Sequence, residues 1–276
     1  MRLACVVTSS GAVAAEIHGS RLVAANSCTS ELLLSRSSAA QPPRRDLGDA
    51  TTAEYLSPVR PRKIVAIGLN YRDHIAEAGV EAPSAPLVFA KFPSAIIGPD
   101  EPIVIDRAVT ERVDWEVELG VVIARRMRNV PEEDALSHVF GYTVANDVSS
   151  RDLQFADGQW VRGKSLDTFC PVGPWVVTAD EIPDPQSLRL RTRVNGETVQ
   201  DASTFQMVFS VAELLAYCSR SFTLEPGDLV LTGTPWGCGE FMDPKRSLQD
   251  GDVVEVEIDA IGTLRNPVVV RSVVPA

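Results

Sequence analysis

Residues 113–119 read Val-Asp-Trp-Glu-Val-Glu-Leu, a strict alternation of apolar and acidic side chains. Successive side chains of a β-strand point to opposite faces. The run therefore reads as a strand with Val113, Trp115, Val117 and Leu119 on one face and Asp114, Glu116 and Glu118 on the other. The residues that follow, Gly120-Val121-Val122-Ile123, are apolar on both faces, so a strand over 113–124 runs into an interior. Carboxylates lined up at the edge of a core are costly to desolvate and repel one another. From the pattern alone two readings stand. One is a half-exposed edge strand with a solvated acidic face. The other is a set of oxygen ligands for a hard divalent cation, which relieves both costs.

The charge of the chain bears on that choice. Across 276 residues, 26 Lys and Arg face 37 Asp and Glu, a net charge of −11. Residues 1–60 hold six arginines and five carboxylates, a balance of +1, so the other 216 residues carry −12. The acidity thus lies with the part that holds the alternating strand. It argues against nucleic acid and anionic membranes as partners, since both reward clustered Lys and Arg. No apolar run approaches the roughly 18 residues of a membrane-spanning helix. The apolar stretch Leu3–Val7 is too short for a signal peptide, so a cytoplasmic location is expected. The five cysteines, Cys5, Cys28, Cys170, Cys218 and Cys238, form no C-x-x-C pair, which argues against a disulfide framework or a zinc knuckle. None has a histidine close in sequence, so a cysteine nucleophile is not expected.

A third acid stands where a strand meets a loop. Gly141-Tyr142-Thr143-Val144-Ala145-Asn146-Asp147 is a β-branched and aromatic strand, and Asp147 closes it. Two glutamates and one aspartate, with positions left for water and substrate, suit Mg²⁺ or Mn²⁺; the scarcity of His and Cys clusters argues against zinc. Of the three histidines, His18 lies in the N-terminal part and His138 reads as packing or surface. His74 differs. It follows the buried strand Ile64–Gly68, on a helix predicted over Arg72–Ala78 and capped by Asn70 or Asp73. His74 and Glu77 are three apart and share a helix face. A carboxylate beside imidazole orients it and raises its basicity, as a general base requires; a surface His–Glu pair fits the same spacing. Lysine is rare, with Lys63, Lys91, Lys164 and Lys245 against 22 arginines. Lys164 stands out as a compact cation suited to an enolate oxygen or a substrate carboxylate.

Two glycine-rich runs call for separate judgement. Gly158 to Ser165 spells G-x4-G-K-S, the pattern of a phosphate-binding loop. That motif needs a buried strand before it and a helix after it. Asp152–Asp157 is not such a strand, and Pro171 forbids a long helix, so nucleotide binding is not expected. Leu229 to Gly239 is a buried strand running into a Gly-rich loop without the spacing of a dinucleotide fingerprint. It reads as a backbone-lined wall of a substrate pocket.

The chain as a whole reads as mostly β with inserted helices, an α+β protein. Residues 1–60 form a small N-terminal domain and linker, with short strands at Leu3–Val7, Ala12–Ile17 and Arg21–Ala25. A helix is expected near Glu31–Leu34, and a Ser, Ala, Pro and Arg loop over 35–45. Residues 61–276 form a second domain of many short strands, with further helices at Pro131–Val139 and Val211–Arg220.

Taken together, five runs in this order resemble the fumarylacetoacetate hydrolase family. They are Gly68-Leu69-Asn70-Tyr71-Arg72-Asp73-His74, Asp114 to Leu119, Gly141 to Val148, Gly163-Lys164-Ser165-Leu166-Asp167-Thr168-Phe169 and Thr232-Gly233-Thr234-Pro235. The resemblance covers roughly 61–276. It implies a mixed β-sandwich roll, Mg²⁺ or Mn²⁺, and a homodimer. It assigns Glu116, Glu118 and Asp147 as metal ligands, His74 and Glu77 as the water-activating or proton-shuttling pair, and Lys164 as enolate stabiliser. Arg151, Gln154 and Thr234 match positions that line the substrate pocket. Cys238-Gly239-Glu240-Phe241 departs from the family's usual continuation of the Gly-rich loop, which bears on substrate identity. The activity implied is hydrolysis of a carbon–carbon bond in a small anionic 2-oxo acid of the 2,4-dioxo type, leaving a pyruvate-type enolate. Decarboxylation or tautomerisation of oxaloacetate, and isomerisation of a 2-hydroxyhepta-2,4-diene-1,7-dioate, use the same apparatus. A metal-dependent binder without catalysis, and a structural protein with solvated acids and no metal, are the remaining alternatives.

Overall fold

The computed structural model describes residues 1–9, 11–25 and 45–272. The helix expected near Glu31–Leu34 lies outside the described residues, as does nearly all of the loop expected over 35–45. Strands dominate, as expected, and helices are short insertions between them. The main sheet runs, in spatial order, Asp46–Asp49, Arg21–Ala24, Gly11–His18, Arg2–Thr8, Cys170–Thr178, Val139–Asn146, Val117–Ile123, Leu229–Leu231, Ile64–Gly68 and Leu87–Lys91. The N-terminal strands extend this sheet: Arg2 and Leu3 pair with Val177 and Val176. A second sheet runs Glu197–Ser203, Arg189–Val194, Val253–Ile258, Gly262–Arg271 and Ile103–Asp106.

Packing between these layers explains the alternating segment. Val117, Leu119, Val121 and Ile123 join one buried cluster with Leu190, Val254 and Val256 of the second sheet and with Leu214 and Leu215 of the helix Val211–Ser221. Val122 points the other way, into a cluster with Ala66, Ala145, Val172 and Leu231. The strand is covered on both faces and paired on both edges, by Val139–Asn146 and by Leu229–Leu231. It is therefore not an edge strand, and the half-exposed reading fails.

The continuous strand expected over 113–124 is also broken. Val113–Asp114 pairs with Ser149–Ser150 in a separate two-stranded ribbon, and the main strand starts only at Val117. Trp115 and Glu116 form the step between the two. The break removes Asp114 from the row of acids. Its carboxylate instead accepts from Arg151 Nε at 2.8 Å and from the Glu240 backbone N–H at 2.8 Å.

The helix Arg72–Ala78 has the predicted bounds, but its N-cap is Tyr71, with no side-chain cap. Asp73 sits inside the first turn, where Oδ1 accepts from the His74 N–H. Asn70 is engaged elsewhere. Its side-chain amide bonds the backbone of Phe209 and Thr232, tying the strand end to two distant loops.

Candidate active site

Glu116, Glu118 and Asp147 converge as a triad of buried carboxylates, with one oxygen of each lying within 4.8 Å of the others. The pairing of the two central strands sets this up. Val117 is opposite Asn146, and Asn146 Oδ1 accepts from the Glu116 N–H at 3.0 Å. The Asp147 N–H in turn donates to Glu116 O at 2.9 Å. Gly233, with φ of +94°, turns its N–H onto Glu118 Oε2 at 2.7 Å. A Cβ there would lie 2.8 Å from that of Asn70, so glycine is required on steric as well as dihedral grounds.

Three cations hold the triad. Lys164 Nζ donates to Glu116 Oε2 at 2.7 Å and to Asp147 Oδ2 at 2.9 Å. Arg151 Nη2 lies 2.7 Å from Glu116 Oε1. The third, Lys91, has no role in the sequence reading. It is fully buried at the end of the strand Leu87–Lys91, with Nζ 2.5 Å from Asp147 Oδ1 and bonded to the backbone oxygen of Lys164. The available signal was a lone lysine closing an apolar strand in a chain with four lysines.

The protonation states follow from this balance. Burial pushes Glu116 upward, but the Lys164 and Arg151 charges outweigh it and draw the carboxyl down to about 2. Burial, reinforced by Asp147 and Glu116, pushes Glu118 well above the ordinary carboxylate range. Without a metal, Lys164 and Arg151 thus favour the charged form of Glu116, whereas burial and the neighbouring acids favour the neutral form of Glu118. A divalent cation fits these residues. All donors are hard oxygens, and a cation there would offset the repulsion from Asp147 and Glu116 that pushes Glu118 upward.

The cavity beside the triad has a volume of about 190 Å³ and is lined by His74, Glu116, Arg151, Gln154, Lys164 and Thr234. Arg151, Gln154 and Thr234, expected to line a pocket, all lie on this cavity. Arg151 Nη1 donates to Gln154 Oε1 at 2.9 Å, which turns the Gln154 NH₂ outward as a donor. Thr234 Oγ1 accepts from Gln200 Nε2 at 3.0 Å, leaving its own O–H to donate. Lys164 uses two of its three protons on carboxylates. Ile67, Leu69, Phe89, Trp160 and Phe241 form the apolar walls.

His74 and Glu77 form a fixed pair and not a surface contact. Nδ1 lies 2.7 Å from Glu77 Oε1, and Glu77 Oε2 accepts from the Gly237 N–H at 2.9 Å. A carboxylate only accepts, so Nδ1 carries the proton of that bond, and in the neutral imidazole Nε2 holds the lone pair. The edge of the Phe241 ring packs at 77° to the imidazole, with centroids 5.4 Å apart. Sequence distance concealed one neighbour. Cys238, 164 positions away, lies with Sγ 3.9 Å from His74 Nδ1. Burial and the Glu116 charge push its thiol well above the ordinary range, so proximity to His74 does not make it a nucleophile.

The run resembling a phosphate loop has a packing explanation. Arg151–Asp157 is a helix, and Val161–Lys164 a second short one lying against it. A Cβ on Gly163 would meet Gln154 N at 2.7 Å and Ser150 O at 2.8 Å. The glycine allows close helix contact, and Lys164 reaches carboxylates, not a phosphate.

Comparison with known proteins agrees with this geometry. The family described as fumarylacetoacetate (FAA) hydrolase C-terminal matches residues 63–269. A mitochondrial oxaloacetate tautomerase of Xenopus laevis is 51% identical over 217 residues, covering 78% of this chain and 68% of that one. A human mitochondrial oxaloacetate tautomerase is 47% identical over 218 residues, covering 78% and 69%. Among solved structures, a fumarylacetoacetate hydrolase of Exiguobacterium antarcticum superposes with a TM-score of 0.86 at 38% identity, covering 98% of this chain and all of that one. A 2-hydroxyhepta-2,4-diene-1,7-dioate isomerase of Mycobacterium marinum gives 0.80 at 38%, covering 98% and 99%. No helix among the described residues is long and apolar enough to cross a membrane.

Proposed function

The chain belongs to the fumarylacetoacetate hydrolase family, and from that premise we propose that it interconverts the keto and enol forms of a small 2-oxo diacid, with oxaloacetate the first substrate to test. One observation carries the reading: a single small cavity brings together a carboxylate-oriented base and three free donors. The donors are Gln154 NH₂, Thr234 O–H and the third proton of Lys164. Such a surface favours an anion whose charge moves onto oxygen as a carbon-bound proton leaves. The relatives named as oxaloacetate tautomerases support the choice of substrate.

In this scheme His74 Nε2 takes a proton from C3 of the keto acid. Glu77 accepts the Nδ1–H bond throughout and steadies the imidazolium that forms. Lys164 donates toward the developing oxyanion at C2, and the proton held by His74 passes to that oxygen, completing the enol. Gln154 and Thr234 orient the carboxylate. The apolar walls limit competing proton exchange with water. Glu116, Glu118 and Asp147 would hold Mg²⁺ or Mn²⁺, which supplies Lewis-acid polarisation of a 2-oxo group.

The second reading is hydrolysis of a 2,4-dioxo acid, in which the same pair deprotonates a water that attacks the 4-carbonyl. It is favoured by the likeness to a fumarylacetoacetate hydrolase at a TM-score of 0.86. One panel separates the two. Enol oxaloacetate is followed by ultraviolet absorbance, and acylpyruvates by NMR, with Mg²⁺ or with EDTA. The proposal expects ketonisation that EDTA abolishes and that His74→Ala slows by about 10²–10⁴. Pyruvate release from acylpyruvates without oxaloacetate turnover would transfer the case to hydrolysis. Ketonisation unaffected by His74→Ala would refute the scheme.

A further inference from the structure

The structure holds a second group of ligand atoms. His74, Glu77 and Cys238 each offer one atom within 4.8 Å of the others. Its chemistry differs from that of the carboxylate triad, for it combines an imidazole nitrogen, a carboxylate oxygen and a sulfur. Hard oxygen sites suit Mg²⁺ or Mn²⁺, whereas this mixed set suits Zn²⁺ and its softer analogue Cd²⁺. We propose that His74, Glu77 and Cys238 form an inhibitory site for a thiophilic divalent cation, Zn²⁺ or Cd²⁺, distinct from the carboxylate triad.

The distances permit it. Tetrahedral zinc with Zn–S of about 2.3 Å and Zn–N of about 2.0 Å places N and S roughly 3.6 Å apart. Nδ1 and Sγ are 3.9 Å apart here. Nδ1 and Glu77 Oε1 are 2.7 Å apart because a proton bridges them, and the carboxylate would retreat by about half an ångström to admit an ion. The Glu77 side chain, 18% exposed, gives the ion a route in and a side from which water completes the coordination.

The proton balance explains the inhibition. The ion displaces the thiol proton to solvent and moves the Nδ1 proton to Nε2. Thiolate, carboxylate and neutral imidazole then hold a 2+ ion with no net charge. The cost is the lone pair on Nε2, because His74 in that tautomer accepts no proton. Lys164, Gln154 and Thr234 are untouched, so substrate binding persists while turnover stops.

The test uses the full chain saturated with Mg²⁺ and titrated with Cd²⁺ alone, then with Zn²⁺. The first readout needs no substrate: the ultraviolet thiolate-to-Cd²⁺ charge-transfer band. The band is expected at one ion per chain and absent in Cys238→Val, with Cys238→Ser as a second variant if the first fails to fold. The second readout is turnover. Cd²⁺ is expected to lower kcat with KM held, and either variant to need at least about tenfold more Cd²⁺ for the same loss. A band unchanged in both variants overturns the site, as does equal inhibition of variant and wild type, which would locate Cd²⁺ at the carboxylates. The inhibition rests on the function proposed above but the band does not, so the two fail separately.

Discussion

Replacing Lys91 with methionine removes one of the three cations that balance the buried acids. Lys91 Nζ is 2.5 Å from Asp147 Oδ1, and both side chains are fully buried. Breaking a buried pair by deleting one partner costs about 3–5 kcal/mol, mostly because the remaining charge is stranded. Asp147 keeps Lys164 at 2.9 Å, which argues for the lower end. The Lys164 backbone oxygen also loses its donor, at about 1 kcal/mol. A total near 3–4 kcal/mol is a large share of a stability of about 5–15 kcal/mol. With a urea dependence near 3 kcal/mol/M, the midpoint falls by about 1 M. Mn²⁺ should narrow the deficit, since a cation at the triad replaces the missing charge beside Asp147. Adding Asp147→Asn should recover part of it. Arg162→Met, which breaks the exposed pair with Asp157, is the control and leaves the midpoint in place. A metal-free Lys91→Met protein within about 0.5 kcal/mol of wild type would show that Lys91 does not carry this charge balance.

Glu118→Gln tests the upward push on Glu118. Metal-free, the variant should match wild type below the ordinary value of 4.5 and be the more stable of the two at neutral pH, while most of the Mn²⁺-dependent rise in melting temperature disappears. Because its folded value is raised, the Glu118 contribution is full below its ordinary 4.5 and is lost as pH climbs through the raised value; urea titrations across pH should show this decline in wild type and not in Glu118→Gln. Glu77→Gln should leave substrate affinity near wild type and lower kcat by up to about 10²-fold in steady-state kinetics, because it weakens the hold on imidazolium without touching the donors. Gly163→Ala forces a methyl against Gln154 N and Ser150 O. Denaturation should show a loss of about 1–3 kcal/mol, and KM should rise as Gln154 shifts.

How legible the site was depended on the range of each interaction. Local periodicity identified Glu116 and Glu118 as one set, put His74 and Glu77 on one helix face and gave that helix its correct bounds. The same periodicity put Asp114 with the glutamates; the structure keeps it beside Glu116, both bound by Arg151, but outside the triad, after a break at Trp115–Glu116 where Asp114 pairs with Ser149. The cap expected from Asn70 or Asp73 failed for a similar reason, since Asn70 is committed to Phe209 and Thr232. Lys91 and Cys238 left almost no local trace, because their partners lie 56 and 164 positions away.

By itself the sequence determined the fold class and the family resemblance and offered the candidate site residues, since these depend on side-chain type and on periods of two and of three to four residues. Only the tertiary structure decided whether the acidic face met water or the interior. An alternating strand reads the same at an edge as it does between two sheets. Burial on both faces follows from strands distant in sequence, Arg189–Val194 and Val253–Ile258 on one side and Cys170–Thr178 on the other; that burial pushes Glu118 well above the ordinary carboxylate range, and the same fold places a thiol beside the proposed base.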